Sequence, residues 1–285
     1  MVVSARKARN VTAPAKHGFR DVRAGSPARA GTYPFEVGEQ VITGWHTHDL
    51  HQLEYAFEGV AEVETDAARY LLPPQQAIWI PAGVEHCTTL TRVRSVSVFL
   101  DPSLGISAGE RVRVLPATPV LREMIRYARR WPIDRDRSDP AADSFFQALA
   151  HLIAESLDQE MPLSLPTSTD PLVSAAMQFT RAHLADVTLD DVCVAVGASE
   201  RSIRRAFASA TGMSWRAYLL KSRLLTAMAL LAEPGPSVLA VATAVGFDTM
   251  SGLNRAFRRH VGETPLAYRR LVLAPRAGQP AESPR

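Results

Sequence analysis

The chain has 285 residues, 46% of them hydrophobic and 21% charged, which is enough for about two ordinary globular domains. Its two cysteines, Cys87 and Cys193, exclude a disulfide scaffold, and its longest strongly apolar run, 224–232, is far short of the ~20 residues that span a bilayer. The net charge of +3 hides a division into +6 over 1–30, −9 over 31–170 and +6 over 171–285, so the C-terminal third is a candidate polyanion binder.

In chain order, residues 1–30 are rich in Ala, Arg and Pro without periodicity and read as a disordered basic tail. No apolar stretch follows Arg6, Lys7 and Arg9, so no secretory signal is expected and the chain is placed in the cytoplasm, with no membrane partner. Over 31–115, short β-prone runs at 53–57, 60–64, 77–80 and 93–100 alternate with Gly59, Pro73-Pro74 and Pro81-Ala82-Gly83, the pattern of a small sandwich or barrel. The period then shifts. Val120, Leu121, Met124, Ile125 and Ala128 share one helical face, as do Phe145, Leu149, Leu152 and Ile153. These two amphipathic helices, over 116–160, are expected to pack on the β region or on a second copy, making a homodimer. Asp139-Pro140 starts the second helix and Met161-Pro162 stops it. Residues 161–170 read as a linker, 171–273 as helical, and 274–285 as a flexible tail.

The helical third contains a repeat. Val196-Gly197 and Arg205-Ala206-Phe207 return as Val245-Gly246 and Arg255-Ala256-Phe257, and Gly212 and Tyr218 return as Gly262 and Tyr268. The offset is 49 before the turn and 50 after it, so the second copy has one extra residue there. Each copy reads as a helix-turn-helix: a short apolar helix (188–196; 237–245), a glycine able to take the left-handed conformation, a cap (Ser199; Asp248 or Thr249), and a second helix. That second helix buries Ile203 and Phe207, or Leu253 and Phe257, and its other face shows Arg201, Ser202, Arg204 and Arg205, or Met250, Ser251, Asn254 and Arg255. Arginine and asparagine are the side chains that pair bidentately with guanine and adenine edges. Trp215 and Cys193 are expected in the core. A bundle with a solvated arginine face is the plainer alternative, and duplication of the motif argues against it.

Residues 170–272 resemble the DNA-binding domain of the AraC/XylS family of transcription regulators, through Gly246-Phe247, Phe257-Arg258-Arg259, Gly262-Glu263-Thr264-Pro265 and Tyr268-Arg269 in the second copy and Leu189, Gly197, Arg205, Phe207, Gly212 and Arg223 in the first. The resemblance implies two helix-turn-helix units joined by a central helix near 214–232. It also implies recognition helices in successive major-groove segments of promoter DNA, with contact to RNA polymerase as a further expectation.

The β-rich part resembles the cupin barrel. His46-x-His48 is similar to its first motif and Pro81-x-Gly83-x-x-His86 to its second. Histidines two apart on a strand share a face, and Gln52 and Glu54 have the same parity. The family's carboxylate position falls nearest to Gln52, with Glu54 or His51 as substitutes, so two readings stay open: a divalent metal held by His46, His48, His86 and Gln52 or Glu54, or a polar pocket for an organic effector. No other cofactor is called for. The expected fold is therefore α+β: a cupin-like barrel, then helices, then an all-α domain with two helix-turn-helix units. The expected function is a sequence-specific transcription regulator that senses a small molecule or metal and is not an enzyme. The alternative is a cupin-type metal oxygenase or isomerase with a DNA-binding appendage, which the glutamine at position 52 weakens.

Overall fold

A computed structural model describes residues 28–273 except 75, 107–108, 136–138 and 162. The two expected tails, apart from residues 28–30, lie outside the described residues. The chain divides into two compact units, 1–164 and 165–285.

The first unit is built on one eight-stranded sheet: β1 (Ala30–Glu36), β2 (Gln40–Ile42), β3 (His51–Glu64), β4 (Ala68–Leu72), β5 (Gln76–Ile80), β6 (Cys87–Leu100), β7 (Arg113–Pro116) and β8 (Ser164–Pro166). Its spine is the antiparallel pair of 14-residue strands β3 and β6, in register from His51 opposite Leu100 to Glu64 opposite Cys87. β1 and β2 flank β6, β5 and β4 flank β3, and β7 extends β5. The two runs expected at 53–57 and 60–64 are one strand. Gly59, at φ 74°, lies where the pairing slips between Ala56 and Glu58 and again between Glu58 and Val60. Such a bulge bends a strand without ending it. Part of the expected linker is also sheet: Met161 N–H donates to Val114 O at 2.8 Å, residues 164–166 form β8, which pairs with β4, and Leu163 and Leu165 are buried. Pro and Ser at the flanks masked that apolar alternation in the sequence.

Helices α1 (Pro119–Ala128) and α2 (Pro140–Ser156) follow β7. Thr118 caps α1 by accepting from Leu121 N–H, and Asp139 caps α2 by accepting from Ala141 and Ala142 N–H while taking the Trp131 indole N–H at 2.7 Å. Leu121, Ile125, Phe146, Leu149 and Ile153 join Leu53, Tyr55, Trp79, Val96 and Val98 in one core. Each such side chain contributes ~1.5–3 kcal/mol by leaving water. The helices therefore spend their apolar stripe on the sheet and belong to the same unit, while Val120 and Tyr127 stay exposed.

The second unit contains α3 (Pro171–Ala182), α4 (Leu189–Val196), α5 (Glu200–Thr211), α6 (Trp215–Leu231), α7 (Val238–Ala244), α8 (Met250–Val261) and α9 (Pro265–Leu273). The repeat is visible as α4–α5–α6 and α7–α8–α9. Ser199 and Thr249 cap α5 and α8 by accepting from Ser202 and Gly252 N–H. Ile203, Phe207, Leu253 and Phe257 are fully buried, and Phe207–Tyr218 and Phe257–Tyr268 have the same ring separation, 5.6 Å. α4 begins with a capping box between Thr188 and Asp191. Trp215 is core, as expected: it is 4% exposed and donates its indole N–H to Thr180 Oγ1 at 2.9 Å. Cys193 is not; it is half-buried, because the short α4 turns only Val192 fully inward.

Both turn glycines are left-handed, Gly197 at φ 64° and Gly246 at φ 82°, but for different reasons. Around Gly197 an added Cβ would meet nothing within 4 Å. At Gly246 it would lie 2.0 Å from Ala185 O and 2.6 Å from Arg223 Nη2. Arg223, on α6, donates to Leu184 O at 3.0 Å and Ala185 O at 3.1 Å. The second turn is thus pressed against an arginine anchor, and only glycine fits.

Candidate nucleic-acid interface and histidine cluster

With Ile203 and Phe207 inward, helical geometry turns Arg201, Arg204 and Arg205 outward, and all three are exposed. Arg204 Nε donates to Glu200 Oε1 at 2.7 Å, and its Nη2 contacts the same oxygen. Ser202 is half-buried, its hydroxyl 2.9 Å from that of Ser199. On α8, Met250 is 46% exposed, Ser251 and Arg255 are exposed, and Asn254 is half-buried. Every residue singled out on these helices therefore lies on or beside the outer face. Arg258 and Arg259, also exposed, were not among them. Their signal was present as Arg-x-x-Arg-Arg, which occurs once in each helix.

In the first unit the structure gathers His46, His48 and His86. Each can offer one ring nitrogen, and these lie within 4.8 Å of one another. The cause is not a common strand, as the spacing suggested, since β3 begins only at His51. Instead His46 and His86 exchange backbone hydrogen bonds, both 3.0 Å, as an isolated antiparallel bridge, and Gly83 N–H donates to His48 O at 2.8 Å. Gly83, at φ 79°, closes the turn that carries His86 back to His46.

All three rings are oriented alike. Nδ1 of His46, His48 and His86 lies 2.9, 2.7 and 2.9 Å from the carbonyls of Gly44, Leu50 and Val84. A carbonyl only accepts, so each Nδ1 carries the proton and each Nε2 of a neutral ring keeps a lone pair. His86 is fully buried, its Nε2 has no hydrogen-bond partner, and burial together with the neighbouring His46 and His48 holds its pKa down at about 3. Gln52 donates its amide N–H groups to Ser97 Oγ at 2.9 Å and Glu54 Oε2 at 3.2 Å, and turns Oε1 toward His48 Nε2 at 2.9 Å. The Gln52 oxygen thus accepts from His48 Nε2 whenever that nitrogen carries a proton. Glu54, 1% exposed, stands behind Gln52, with its carboxyl pushed above the usual range by burial. His51 points elsewhere, accepting from Ala82 N–H at 3.0 Å and lying against Trp79. Among His46, His48, Gln52, Glu54, Thr88 and Phe99 lies a cavity of about 10 Å³, the room of one water or ion.

Two family models match. Residues 30–164 match an AraC-like ligand binding domain and 192–271 a helix-turn-helix domain. The chain belongs to the AraC/XylS family. Among its curated relatives is the HTH-type transcriptional regulator NimR of Escherichia coli K12, 27% identical over 247 residues, 85% of this chain and 88% of NimR. The transcriptional activator NphR of Rhodococcus is 32% identical over 146 residues, 48% of this chain and 42% of NphR. The HTH-type transcriptional regulator RipA of Corynebacterium glutamicum is 38% identical over 95 residues, 33% of this chain and 28% of RipA. The chain thus spans most of NimR and less than half of the other two. It is an AraC/XylS-type transcription regulator, with a ligand-binding domain in the first unit and a DNA-binding domain in the second. Its relatives are regulators, in keeping with a role other than catalysis. Among the described residues no helix is long and apolar enough to cross a membrane.

Proposed function

We propose that this regulator is a cytoplasmic, non-enzymatic sensor of a divalent metal ion, held by His46, His48 and His86 with Gln52 as the fourth, neutral ligand. One observation carries the reading: His46, His48 and His86 bring one ring nitrogen each within 4.8 Å of one another, and the fully buried Nε2 of His86 has no hydrogen-bond partner. A bound cation would satisfy that nitrogen and could draw on Gln52 Oε1, which lies 2.9 Å from His48 Nε2, as an oxygen ligand. Imidazole nitrogens whose other N–H is tied to a carbonyl are the usual ligands of zinc, iron, copper and nickel. An organic effector at this point needs far more space, and an enzyme needs room for a substrate beside the metal.

The second part of the proposal is the reading of promoter DNA by α5 through Arg201, Arg204 and Arg205, flanked by Ser202, and by α8 through Met250, Ser251, Asn254 and Arg255. The outward groove of α1 and α2, lined by Val120, Met124, Tyr127 and Phe145, is the proposed homodimer face. Effector binding shifts the population between arrangements of the DNA-binding domains, and contact with RNA polymerase follows from the regulator's role.

Elemental analysis of the purified chain, paired with promoter binding before and after chelation, tests the sensor. About one metal per chain is expected in the wild type and none in His86→Ala, and chelation should change promoter affinity. A chain that takes up no first-row metal, or binds promoter identically with and without it, would overturn the metal reading.

A further inference from the structure

We infer that the two recognition helices read different base compositions: α5 a G·C element through its arginines, and α8 an A·T element through Met250, Ser251 and Asn254, with Arg258 and Arg259 gripping phosphates. This rests on the DNA-reading proposal above and assigns the chemistry of the operator to it.

The two helices are alike in frame. Each is 12 residues long, begins after a Ser or Thr cap and ends at a left-handed glycine, Gly212 or Gly262. Aligned on their caps, Ile203 falls on Leu253 and Phe207 on Phe257, all fully buried. Both carry Arg-x-x-Arg-Arg, as Arg201, Arg204 and Arg205 and as Arg255, Arg258 and Arg259. In that alignment the second run stands four residues further along its helix, which is about 6 Å at 1.5 Å per residue.

A helix that enters the major groove by its N-terminal end meets base edges with its first turns and the backbone with later ones. The displacement therefore takes Arg258 and Arg259 out of the reading turns, to positions that α5 fills with Ala208 and Ser209. What stands in the reading turns of α8 instead is neutral. Asparagine pairs bidentately with adenine N6 and N7, serine accepts either base, and an exposed apolar end such as that of Met250 suits the thymine methyl. Arg255 aligns with Arg205 and is common to both helices, so it does not distinguish them. Guanine finds three cationic forks on α5 and one on α8.

The experiment is selection of random 26-base-pair duplexes by the full-length protein, followed by sequencing of the bound pool. Two elements about 10–11 base pairs apart are expected, one with at least two guanines on a strand and one dominated by A·T with at most one guanine. Asn254→Ala should lower preference for a single adenine roughly 5- to 150-fold and leave the guanines untouched. Arg258→Ala combined with Arg259→Ala should weaken binding to all sequences alike and flatten the salt slope by about 2. Equal guanine content in both elements, or a loss of preference at one base on removing Arg258 or Arg259, overturns the inference and leaves the DNA-reading proposal standing. A bound pool with no enriched sequence overturns both.

Discussion

Single residues in this regulator matter through what they exclude as much as through what they touch. Gly197 and Gly246 occupy the same place in the repeat and share the left-handed conformation, yet only Gly246 faces a carbonyl and a guanidinium where a side chain would begin. Gly197→Ala is expected to cost ~1–2 kcal/mol, the strain of a left-handed alanine. Gly246→Ala must in addition push Arg223 off Ala185 O, and several kcal/mol are expected. Urea unfolding of the two variants checks this, and matching midpoints would contradict it. Glu200 holds Arg204 across one turn of α5 in an exposed pair, which contributes little to folding. Glu200→Ala should leave thermal unfolding unchanged and tighten DNA binding a few-fold at low salt, because it removes a carboxylate that repels phosphate and frees a guanidinium.

The elements divide their faces between folding and function. α5 buries Ile203 and Phe207 and shows Arg205 to solvent, so Arg205→Ala should cost ~1–3 kcal/mol of specific binding with the circular dichroism spectrum intact. A variant with wild-type preference for its site over scrambled DNA would remove Arg205 from the reading face. α2 offers the opposite contrast with α1. Leu149 is fully buried in the sheet-facing core, whereas Val120 is 60% exposed. Leu149→Ala is expected to destabilise by ~2–5 kcal/mol. Val120→Glu with Tyr127→Glu should leave the monomer folded and shift sedimentation from dimer to monomer; an unchanged sedimentation coefficient would take this groove out of the proposed interface. The strands of the first unit do less individually: β3 and β6 set the register, and the histidine site draws on both ends of that pair, with Gln52 opposite Phe99 at one end and His86, next to Cys87 at the other, bridged to His46.

At the scale of the whole molecule, the change from the acidic stretch 31–170 to the basic stretch 171–285 falls close to the boundary between the two compact units, 1–164 and 165–285. Phosphate attraction belongs to the second, so a 165–285 fragment should bind promoter DNA with a salt dependence close to that of the full chain. His46→Ala with His48→Ala should abolish the metal response of the full chain. The fragment, which lacks both residues, should bind equally with and without metal. A full chain that still responds after both substitutions would remove the histidine cluster from the sensing mechanism.

The repeat, its capped helices and its outward arginines are legible in the chain before it folds, because they depend on residues three or four apart along one helix and so are written locally. Ser199, Thr188 and Asp139 cap where their spacing says they should, and the 3.6-residue period alone turns Ile203 inward and Arg205 outward. The sequence brought His46, His48, Gln52, Glu54 and His86 together as candidates through their resemblance to a motif, but its local argument of shared strand parity was not the physical cause. Folding alone brings out the backbone bridge that joins His46 to His86 across 40 residues, the strand β8 that completes the sheet from within an expected linker, and the hold of Arg223 on the turn at Gly246. Each of these is a contact between segments distant in sequence, and hydrogen-bond geometry or a missing Cβ leaves no periodic trace in the chain that forms it.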